Sequence, residues 1–315
     1  MSSTMLAYRL HTYTGPTALS LSTLPLPTPT PTQALIRTSH SALNPFDWKI
    51  AHGYVREVLP LPLPYTLGVD FVGTITSLGK ECTGRLKVGD RVMTMSRSLG
   101  AFAEYIAVEE GILARVPEGL GDKEACTLPI PGLSAWQSLY IAGEVKAGMK
   151  VLIHGASGVV GALAVQLAKK AGAEVIGTAS GKNKDFVVGL GVDQFVDYTK
   201  ERFEDVLGKE SIDLVLDYVL IGGTDNTTDR SWSVVKKGGA IVSLSDPSIL
   251  GKIPEGKKGF FPEIVPDVEV LEKLGKMLKD GEIQAKVAKV YPRGQLVEGM
   301  EANKAGGTVV DFRKA

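Results

Sequence analysis

A glycine-rich loop between two apolar segments is the first candidate for chemistry in this sequence. Residues 155–161 read Gly-Ala-Ser-Gly-Val-Val-Gly, after the apolar run Lys150–His154 and before a segment with apolar residues at helical spacing. A second apolar run, Glu174–Thr178, follows, and this order predicts a βαβ unit with parallel strands. The N–H groups at the start of such a helix face the phosphates of a bound dinucleotide. We therefore expect a pyrophosphate site, the alternative being a glycine turn that serves packing alone.

The end of the second strand indicates which nicotinamide cofactor the loop would take. A protein that binds NAD places Asp or Glu about 20 residues past such a loop, on the ribose 2′-hydroxyl. Here the strand runs into Ser180-Gly181-Lys182-Asn183-Lys184, which has no carboxylate to repel a 2′-phosphate and several groups to receive it. The sequence therefore predicts NADPH, and the missing acid supports this prediction more than the lysines do.

The elements that must position this loop divide the chain into three parts. Residues 1–122 contain short β-type segments punctuated by Gly and Pro, and predict a small, mostly antiparallel β domain. Residues 123–266 alternate strands and helices and predict a doubly wound parallel sheet, so the fold class is α/β. Residues 267–315 contain a helix, a strand, a second helix and a closing strand. The main predicted strands are Ala34–Thr38, Asp70–Leu78, Asp90–Met95, Ala103–Val108, Phe195–Asp197, Ile212–Tyr218, Ala240–Leu244 and Thr308–Phe312.

The amino-acid composition limits the classes of binding partner that we expect. The 315 residues include 35 Lys plus Arg and 35 Asp plus Glu, so the formal charge is zero. With no basic block, we expect neither nucleic acid nor a membrane as partner, and a small molecule becomes the default ligand. Cys82 and Cys126 lie outside any C-x-x-C spacing, which favours free thiols in a reducing compartment. No secretory leader and no long apolar run is present, so we expect a cytoplasmic protein.

Several further motifs occur in a fixed order around the glycine loop. Together they resemble the zinc-independent branch of the medium-chain dehydrogenase/reductase superfamily, the quinone oxidoreductase and enoyl reductase-like proteins, from about Asn44 to Phe312. The resemblance implies a GroES-like β domain completed by the C-terminal segment, an inserted Rossmann domain and a cleft between them. The motifs are Asn44–Lys49, Leu67–Gly73, Lys87–Val92, Gly100–Tyr105, Leu128–Ala135, Gln166–Lys169 and Asp197-Tyr198.

The resemblance also allows a test for metal. In zinc alcohol dehydrogenases a Cys stands at the position of Asn44, a His-Glu pair at Val69-Asp70 and a further Cys within residues 129–134, so three ligand positions here lack their donors. We expect no metal, and without a Lewis acid alcohol oxidation is disfavoured. The resemblance then implies NADPH-dependent hydride transfer to an electron-poor acceptor, an enone, an enoyl thioester or a quinone.

Two other functions stay open at this point. One is an NADPH-binding sensor or accessory protein with little turnover, because a cofactor site does not prove catalysis. The other is a reductase that acts in trans with a polyketide-type synthase, on a substrate held by a carrier protein. Relatives also include homodimers joined through the edges of their Rossmann sheets, and Gly239–Leu244 is the strand we expect at such an edge.

The resemblance assigns roles to individual residues. Tyr54 matches a position near the cleft of quinone oxidoreductases and is the first candidate for proton donor, with Lys49 and solvent as alternatives. The remaining assignments concern the cofactor. They are Asn44, Pro45 and Asp47 beside the nicotinamide ribose, Thr127 and Leu128 at the nicotinamide, Ser157, Gly158, Val159 and Val160 at the pyrophosphate, and Ser180, Lys182, Asn183, Lys184 and Tyr198 around the 2′-phosphate.

Overall fold

The computed structural model describes residues 3–219, 226–303 and 306–314, and the chain forms two compact units. Unit 1 is Met1–Ile130 together with Pro266–Ala315, and unit 2 is Pro131–Val265. Unit 2 is thus continuous in sequence and is inserted into unit 1.

The secondary structure alternates in the order expected of an α/β chain. The strands are β1 (Thr4–Leu10), β2 (Leu19–Pro25), β3 (Gln33–Leu43), β4 (Tyr65–Thr66), β5 (Asp70–Leu78), β6 (Arg91–Met95), β7 (Tyr105–Glu109), β8 (Ala114–Arg115), β9 (Lys150–His154), β10 (Glu174–Ala179), β11 (Gln194–Asp197), β12 (Ile212–Asp217), β13 (Val235–Ser243), β14 (Lys258–Phe260), β15 (Lys289–Pro292) and β16 (Thr308–Asp311). The helices are α1 (Pro45–Ala51), α2 (Asp122–Ala125), α3 (Pro129–Trp136), α4 (Val159–Lys170), α5 (Lys184–Gly189), α6 (Phe203–Leu207), α7 (Thr227–Ser231), α8 (Val268–Lys279) and α9 (Leu296–Ala302).

Unit 1 contains two sheets. The larger has the order β15-β16-β3-β5-β6-β8, with β7 also paired to β3, and the smaller has the order β2-β1-β4. All of these pairs are antiparallel except β15 with β16. Apolar residues that alternate along the strands pack between them, among them the fully buried Ile36, Phe71 and Val92. The C-terminal strand β16 therefore completes a sheet that the N-terminal strands begin.

Unit 2 is built on a parallel sheet of order β11-β10-β9-β12-β13-β14. In chain order this is 3-2-1-4-5-6, the Rossmann arrangement, whose direction of winding reverses between β9 and β12. Neighbouring strands each contribute one buried residue to a common core. These residues are Val196, Ile176, Leu152, Val215 and Ile241.

Two sequence predictions differ from the structure in position. The predicted boundary after residue 122 falls before the observed division after Ile130, because α2 packs against β3 and β5 of unit 1. The strand expected at a dimer edge lies inside the sheet, since β13 pairs with β12 on one side and with β14 on the other. An edge-to-edge dimer of this sheet would have to use β14 or β11.

Polar residues fix where several helices begin. The Asp267 carboxylate accepts a hydrogen bond from the N–H of Val270 (3.0 Å) at the start of α8, and Asn226 accepts one from the N–H of Asp229 (3.2 Å) at α7.

Within the described ranges, no helix combines the length and the apolar character needed to cross a bilayer.

Candidate active site

The glycine loop lies at the carboxyl edge of the parallel sheet in unit 2, beside the point where the winding reverses. Gly155 follows β9 with φ +72°, a left-handed conformation that favours glycine. The N–H of Ala156 donates to the carbonyl of Thr178 at the end of β10 (3.1 Å), and the N–H of Gly158 donates to that of Gly155 (2.9 Å). A Cβ on Gly161 would lie 2.2 Å from the Gly155 oxygen, so only glycine fits there.

The first turn of α4 is available to an anion. Val159 begins the helix, and the N-cap residue Gly158 has no side chain with which to cap it. In this described part of the chain, no acid lies in the first turn of α4. Ser157, Gly158 and Val160 are partly exposed, whereas Val159 is mostly buried. The first N–H groups of an α-helix have no partner within the helix, and together with the positive end of the helix dipole they make this a place where a pyrophosphate fits.

The loop after β10 brings together the residues predicted at the 2′-phosphate. Asn183 donates from its N–H to the Ser180 carbonyl (2.8 Å) and from Nδ2 to the Ser180 hydroxyl (3.1 Å). Lys182 and Lys184 are exposed on this turn. Tyr198 is 63% exposed on the neighbouring segment, and its N–H donates to the Ala179 carbonyl (3.3 Å). The turn 180–184 and the segment that carries Tyr198 therefore lie side by side.

Asp197, which the sequence analysis named in a motif without a role, connects this turn with the segment after β11. Asp197 Oδ1 accepts hydrogen bonds from the N–H of Gly181 (3.0 Å) and from the hydroxyl (2.6 Å) and N–H (3.1 Å) of Thr199. The Thr199 hydroxyl is the largest of the influences that lower the pKa of Asp197. Its Oδ2 would lie 2.3 Å from a Cβ on Gly181, so this acid holds the loop in place and requires glycine there.

His154 ends β9 directly before the glycine loop and is almost fully buried. Its Nδ1 lies 3.0 Å from the Thr178 hydroxyl and its Nε2 lies 3.0 Å from the Ser231 hydroxyl. Because the Ser231 hydroxyl donates to the Thr227 carbonyl (2.6 Å), it accepts from Nε2–H, and Nδ1 accepts from Thr178. Burial lowers the pKa of the imidazole. His154 is therefore a neutral packing residue that links β9, β10 and α7.

Asp217 plays a similar part at the end of β12, across the reversal point from His154. Its Oδ2 accepts hydrogen bonds from the hydroxyls of Thr227 (2.8 Å) and Thr228 (2.6 Å), and its Oδ1 accepts one from the N–H of Val219 (3.0 Å). The first turn of α7 is thereby fixed to the carboxyl edge of the sheet. Residues 220–225 lie outside the described ranges.

In unit 1, Asn44 stands between two buried acids. Its N–H donates to Asp47 Oδ2 (2.9 Å) and its Nδ2 donates to Asp70 Oδ2 (3.0 Å). The N–H of Ile130, in the first turn of α3, is shared by Asp70 Oδ1 (3.2 Å) and Oδ2 (3.1 Å). Pro45 is the first residue of α1, a position that needs no N–H donor. Sequence spacing connects Asn44 with Asp47, but only the pairing of β3 with β5 brings Asp70 to them.

Both acids are shielded from solvent. Asp47 and Asp70 are 0% exposed and Asn44 is 5% exposed. Burial raises the pKa of Asp47 to about 7 and raises that of Asp70 well above its usual range. Asp47 therefore contacts no solvent, and its connection to any ligand passes through Asn44.

The two candidate proton donors lie on and after α1. Tyr54 is 67% exposed, and its ring stacks on that of His52 with centroids 5.5 Å apart at 19°. Trp48 completes the cluster with its ring centroid 4.1 Å from that of His52. Lys49 is half-buried, and desolvation lowers the pKa of its ammonium. Tyr54 is thus accessible, while Lys49 gives up its proton more readily than an exposed lysine.

Thr127 and Leu128 are less accessible. They are 3% and 0% exposed, and the Thr127 hydroxyl donates to the Glu124 carbonyl (2.7 Å) between α2 and α3. Within unit 1 their side chains belong to the interior.

Comparison with known proteins decides the family. The profile described as "Alcohol dehydrogenase GroES-like domain" matches residues 30–118, and that described as "Zinc-binding dehydrogenase" matches residues 190–309. The chain is 31% identical to an "NADPH-dependent alkenal/one oxidoreductase, chloroplastic" of Arabidopsis thaliana, over 89% of this chain and 72% of that protein. A quinone oxidoreductase structure from Coxiella burnetii superposes with a TM-score of 0.91 and 30% identity, over 98% of this chain and 100% of that chain.

The chain belongs to the medium-chain dehydrogenase/reductase superfamily. Its relatives place it in the quinone oxidoreductase branch of that superfamily. A further relative, the "2-methylene-furan-3-one reductase" of Solanum lycopersicum, is 34% identical over 80% of this chain, which spans 63% of that protein's length. The family and the fold class predicted from the sequence, a GroES-like β domain with an inserted Rossmann domain, are confirmed.

One of the two matching profiles is described as "Zinc-binding dehydrogenase", and a zinc site needs several His, Cys or carboxylate donors close together. Within residues 3–219, 226–303 and 306–314, no three His, Cys, Asp or Glu residues cluster in a way that could hold a metal ion. His40 is buried near Asp122 and Asp311, at 3.9 and 3.7 Å, and Arg313 bridges the same acids. The absence of a metal from this member of the superfamily remains a prediction.

The sequence analysis assigned no role to three acids near the candidate sites of this superfamily member. They are Asp70, Asp197 and Asp217, and each lies at the end of a strand. Asp197 and Asp217 end parallel strands at the carboxyl edge of the sheet, where ligands of Rossmann domains bind. Their positions at the ends of these strands could therefore have indicated them as candidate site residues. Asp70 begins an antiparallel strand and stands in the motif Leu67–Gly73, but the sequence did not indicate that it would approach Asn44.

Proposed function

We propose that the chain is an NADPH-dependent oxidoreductase that transfers a hydride, without a metal, to an electron-poor acceptor, an enone or enoyl C=C bond or a quinone. The observation that carries this proposal is the glycine loop at the reversal point of the six-stranded sheet. There Gly155 turns the chain, Gly161 leaves no room for a side chain, and α4 begins at a glycine with no acid in its first turn. These features fit a dinucleotide pyrophosphate.

The choice of NADPH is supported by the loop after β10. Ser180, Lys182, Asn183, Lys184 and Tyr198 offer two hydroxyls, an amide and two ammonium groups within one turn and its neighbour. The Asp197 carboxylate does not oppose a 2′-phosphate, because its Oδ1 is bonded to Gly181 and Thr199 and Lys200 lies 3.7 Å from its Oδ2. The Arabidopsis relative is also named as NADPH-dependent.

When bound, NADPH would supply the hydride from its nicotinamide ring. The first turn of α4, from Ser157 to Val160, would bind the pyrophosphate. In unit 1, Asn44 and Pro45 would contact the nicotinamide ribose, while Asp47 would hold Asn44 from below. Thr127 and Leu128 are too buried to offer more than backbone groups and shape. A carbonyl on the acceptor withdraws electrons, so alignment and a proton source are sufficient.

Two side chains of unit 1, Tyr54 and Lys49, are the candidates for the proton source. Tyr54 is the first candidate because its phenol is accessible and its ring is held by His52 and Trp48. Lys49 is the second because desolvation favours loss of its proton. Tyr54→Phe should lower kcat by about 10²-fold or more if the phenol donates, and Lys49→Met should do so if the ammonium donates. If both variants keep the wild-type kcat, solvent protonates the product.

The deciding experiment measures oxidation of NADPH, with NADH as control, against a quinone, an alkyl enone and an enoyl thioester. Turnover confined to NADPH supports the cofactor assignment, and the preferred acceptor names the reaction. Tight NADPH binding without turnover on any of the three would favour a sensor, or a reductase that needs its substrate on a carrier protein. Failure to bind NADPH would overturn the proposal.

The assembly and location complete the proposal. We propose a cytoplasmic protein that acts on a free small molecule, with neither nucleic acid nor membrane as partner. A homodimer would join two sheets through β14 or β11, and a sedimentation experiment distinguishes it from a monomer.

A further inference from the structure

Two buried aspartates from different elements of unit 1 converge on one asparagine. Asp47 lies in the first turn of α1 and Asp70 at the start of β5, and neither side chain is exposed. Each accepts a hydrogen bond from Asn44, Asp47 from the main chain and Asp70 from the side-chain amide. The two carboxylates and Asn44 therefore form a single buried cluster.

The surroundings of this cluster do not balance two negative charges. Across the described residues, no Lys, Arg or His lies within ion-pair distance of Asp47 or Asp70. The titratable group that acts on Asp70 is Asp47, which raises its pKa further after burial. Burial, and then Asp70 and Asp122, raise the pKa of the fully buried Cys126 thiol, so this thiol stays neutral. The remaining donors to Asp70 are the shared N–H of Ile130 and the Asn44 amide.

One oxygen of the cluster is without a partner. Asp47 Oδ1 is buried and has no hydrogen-bond partner of good geometry among the described residues, whereas Oδ2 accepts from the N–H of Asn44. Asn44 and the N–H of Gly68 lower the pKa of this carboxyl, but the effect of burial is larger. An ionised carboxylate with an unpaired buried oxygen is costly, and protonation of that oxygen removes the charge. The geometry therefore favours a cluster that stays protonated at pH values at which an exposed aspartate is ionised.

We propose that Asp47 and Asp70 act as one buried acid pair that holds at least one proton through neutral pH and positions Asn44. Burial of the pair also raises the pKa of Asp47 to about 7, so the charge beside Asn44 increases close to neutrality. The positioning role rests on the proposed function, in which Asn44 contacts the cofactor. The proton content of the pair does not rest on it.

The first test uses the whole protein without cofactor. A carboxyl that holds its proton more tightly in the native state makes stability fall as pH rises, so we expect the urea midpoint of the wild type to fall from about pH 5 to about pH 8. Asp47→Asn keeps an oxygen for the Asn44 N–H and should make this fall about half as steep, because one of two acids is removed. Asp205→Asn, at an exposed position on α6, is the matched control and should keep the wild-type slope. If the urea midpoint falls equally steeply with pH in Asp47→Asn and Asp205→Asn, the proposal is overturned.

A second measurement does not depend on any variant being folded. Wild-type protein labelled with carbon-13 at the aspartate carboxyls should show at least one resonance in the protonated position at neutral pH, and this resonance should be resistant to titration down to about pH 5. A spectrum in which every aspartate is ionised at neutral pH would overturn the proposal.

The positioning role is tested by the pH dependence of NADPH affinity. We expect the Kd of the wild type and of Asp205→Asn to rise several-fold from about pH 6 to about pH 8, and that of Asp47→Asn to change less. Identical profiles in the three proteins would show that the pair does not act on Asn44 in binding. Loss of NADPH binding in all three would contradict the proposed function, while the stability slopes would still decide whether the pair holds a proton.

Discussion

Gly161 shows, at the scale of single residues, how closely the glycine loop packs on itself. A Cβ at this position would lie 2.2 Å from a backbone oxygen, which cannot rotate away as a side chain could. We expect Gly161→Ala to destabilise the protein by about 1–3 kcal/mol and to weaken NADPH binding at least tenfold. Thermal unfolding and fluorescence titration measure the two effects. Gly189→Ala, where a Cβ meets open space, should change neither.

His154 predicts a pH dependence of stability. Its pKa is lowered by burial, so between its native value and about 6.5 the unfolded chain binds more protons than the native protein. The contribution of His154 to stability therefore rises with pH through this window and is constant above it, in the direction opposite to that of Asp47 and Asp70. His154→Leu should lose about 1–3 kcal/mol at pH 8, because the Thr178 and Ser231 hydroxyls lose their partner, and the loss should shrink toward pH 5. The exposed His11→Leu serves as control, and a difference from wild type that is independent of pH would contradict the argument.

At the scale of elements, one arginine joins two short helices at the carboxyl edge of unit 2. Arg230 on α7 donates to both carboxylate oxygens of Glu204 on α6, at 2.5 and 2.6 Å, and lies over the Phe203 ring. Burial by itself raises the pKa of Glu204, but the contact with Arg230 holds this pKa at about 2. The stabilisation is therefore complete above about pH 4.3 and is lost as pH falls toward 2.

Removing this contact should loosen α7. We expect Arg230→Met to cost about 1–3 kcal/mol at neutral pH, measured by urea unfolding, and to flatten the acid side of the stability profile. Lys169→Met breaks the more exposed Lys169–Asp193 pair and should cost at most about 1 kcal/mol. Equal losses in the two variants would show that Arg230 contributes no more than a surface ion pair.

The sequence predicted elements well where periodicity and boundaries agree. Lys150–His154 and Asp70–Leu78 are strands with the predicted bounds, because each is a short apolar segment closed by turn residues. Strands β1 and β2 were not predicted, since the prolines around residue 25 obscure the alternation of Leu19–Pro25. In the site, the i, i+3 spacing of Asn44 and Asp47 is visible in the sequence, but the approach of Asp70 depends on the register Ala42↔Asp70 between two strands.

At the scale of the whole molecule, the two units have separate cores, and this predicts that one can lose its structure before the other. Val310 on β16 is fully buried in unit 1, whereas Val290 on the neighbouring β15 is 39% exposed. Val310→Asp should place a charge in this core and cost more than about 3 kcal/mol, while Val290→Asp should cost less than about 1 kcal/mol. Limited proteolysis of Val310→Asp should leave a resistant fragment close to residues 131–265. Digestion of the whole chain at one rate would contradict this expectation.

The pairing of β3 with β16 has a consequence for synthesis of the chain. Residues 308–311 pair with residues 40–43, so this part of β3 lacks one neighbouring strand until the ribosome has made the chain as far as Asp311. Unit 2 is continuous and can fold during that interval, whereas unit 1 must wait to close a loop that contains a whole domain. Contacts so distant in sequence form slowly, and an open apolar strand edge attracts other chains meanwhile. Closure of the larger sheet by its last strand should therefore be the slow, aggregation-prone and chaperone-dependent stage of the protein's maturation.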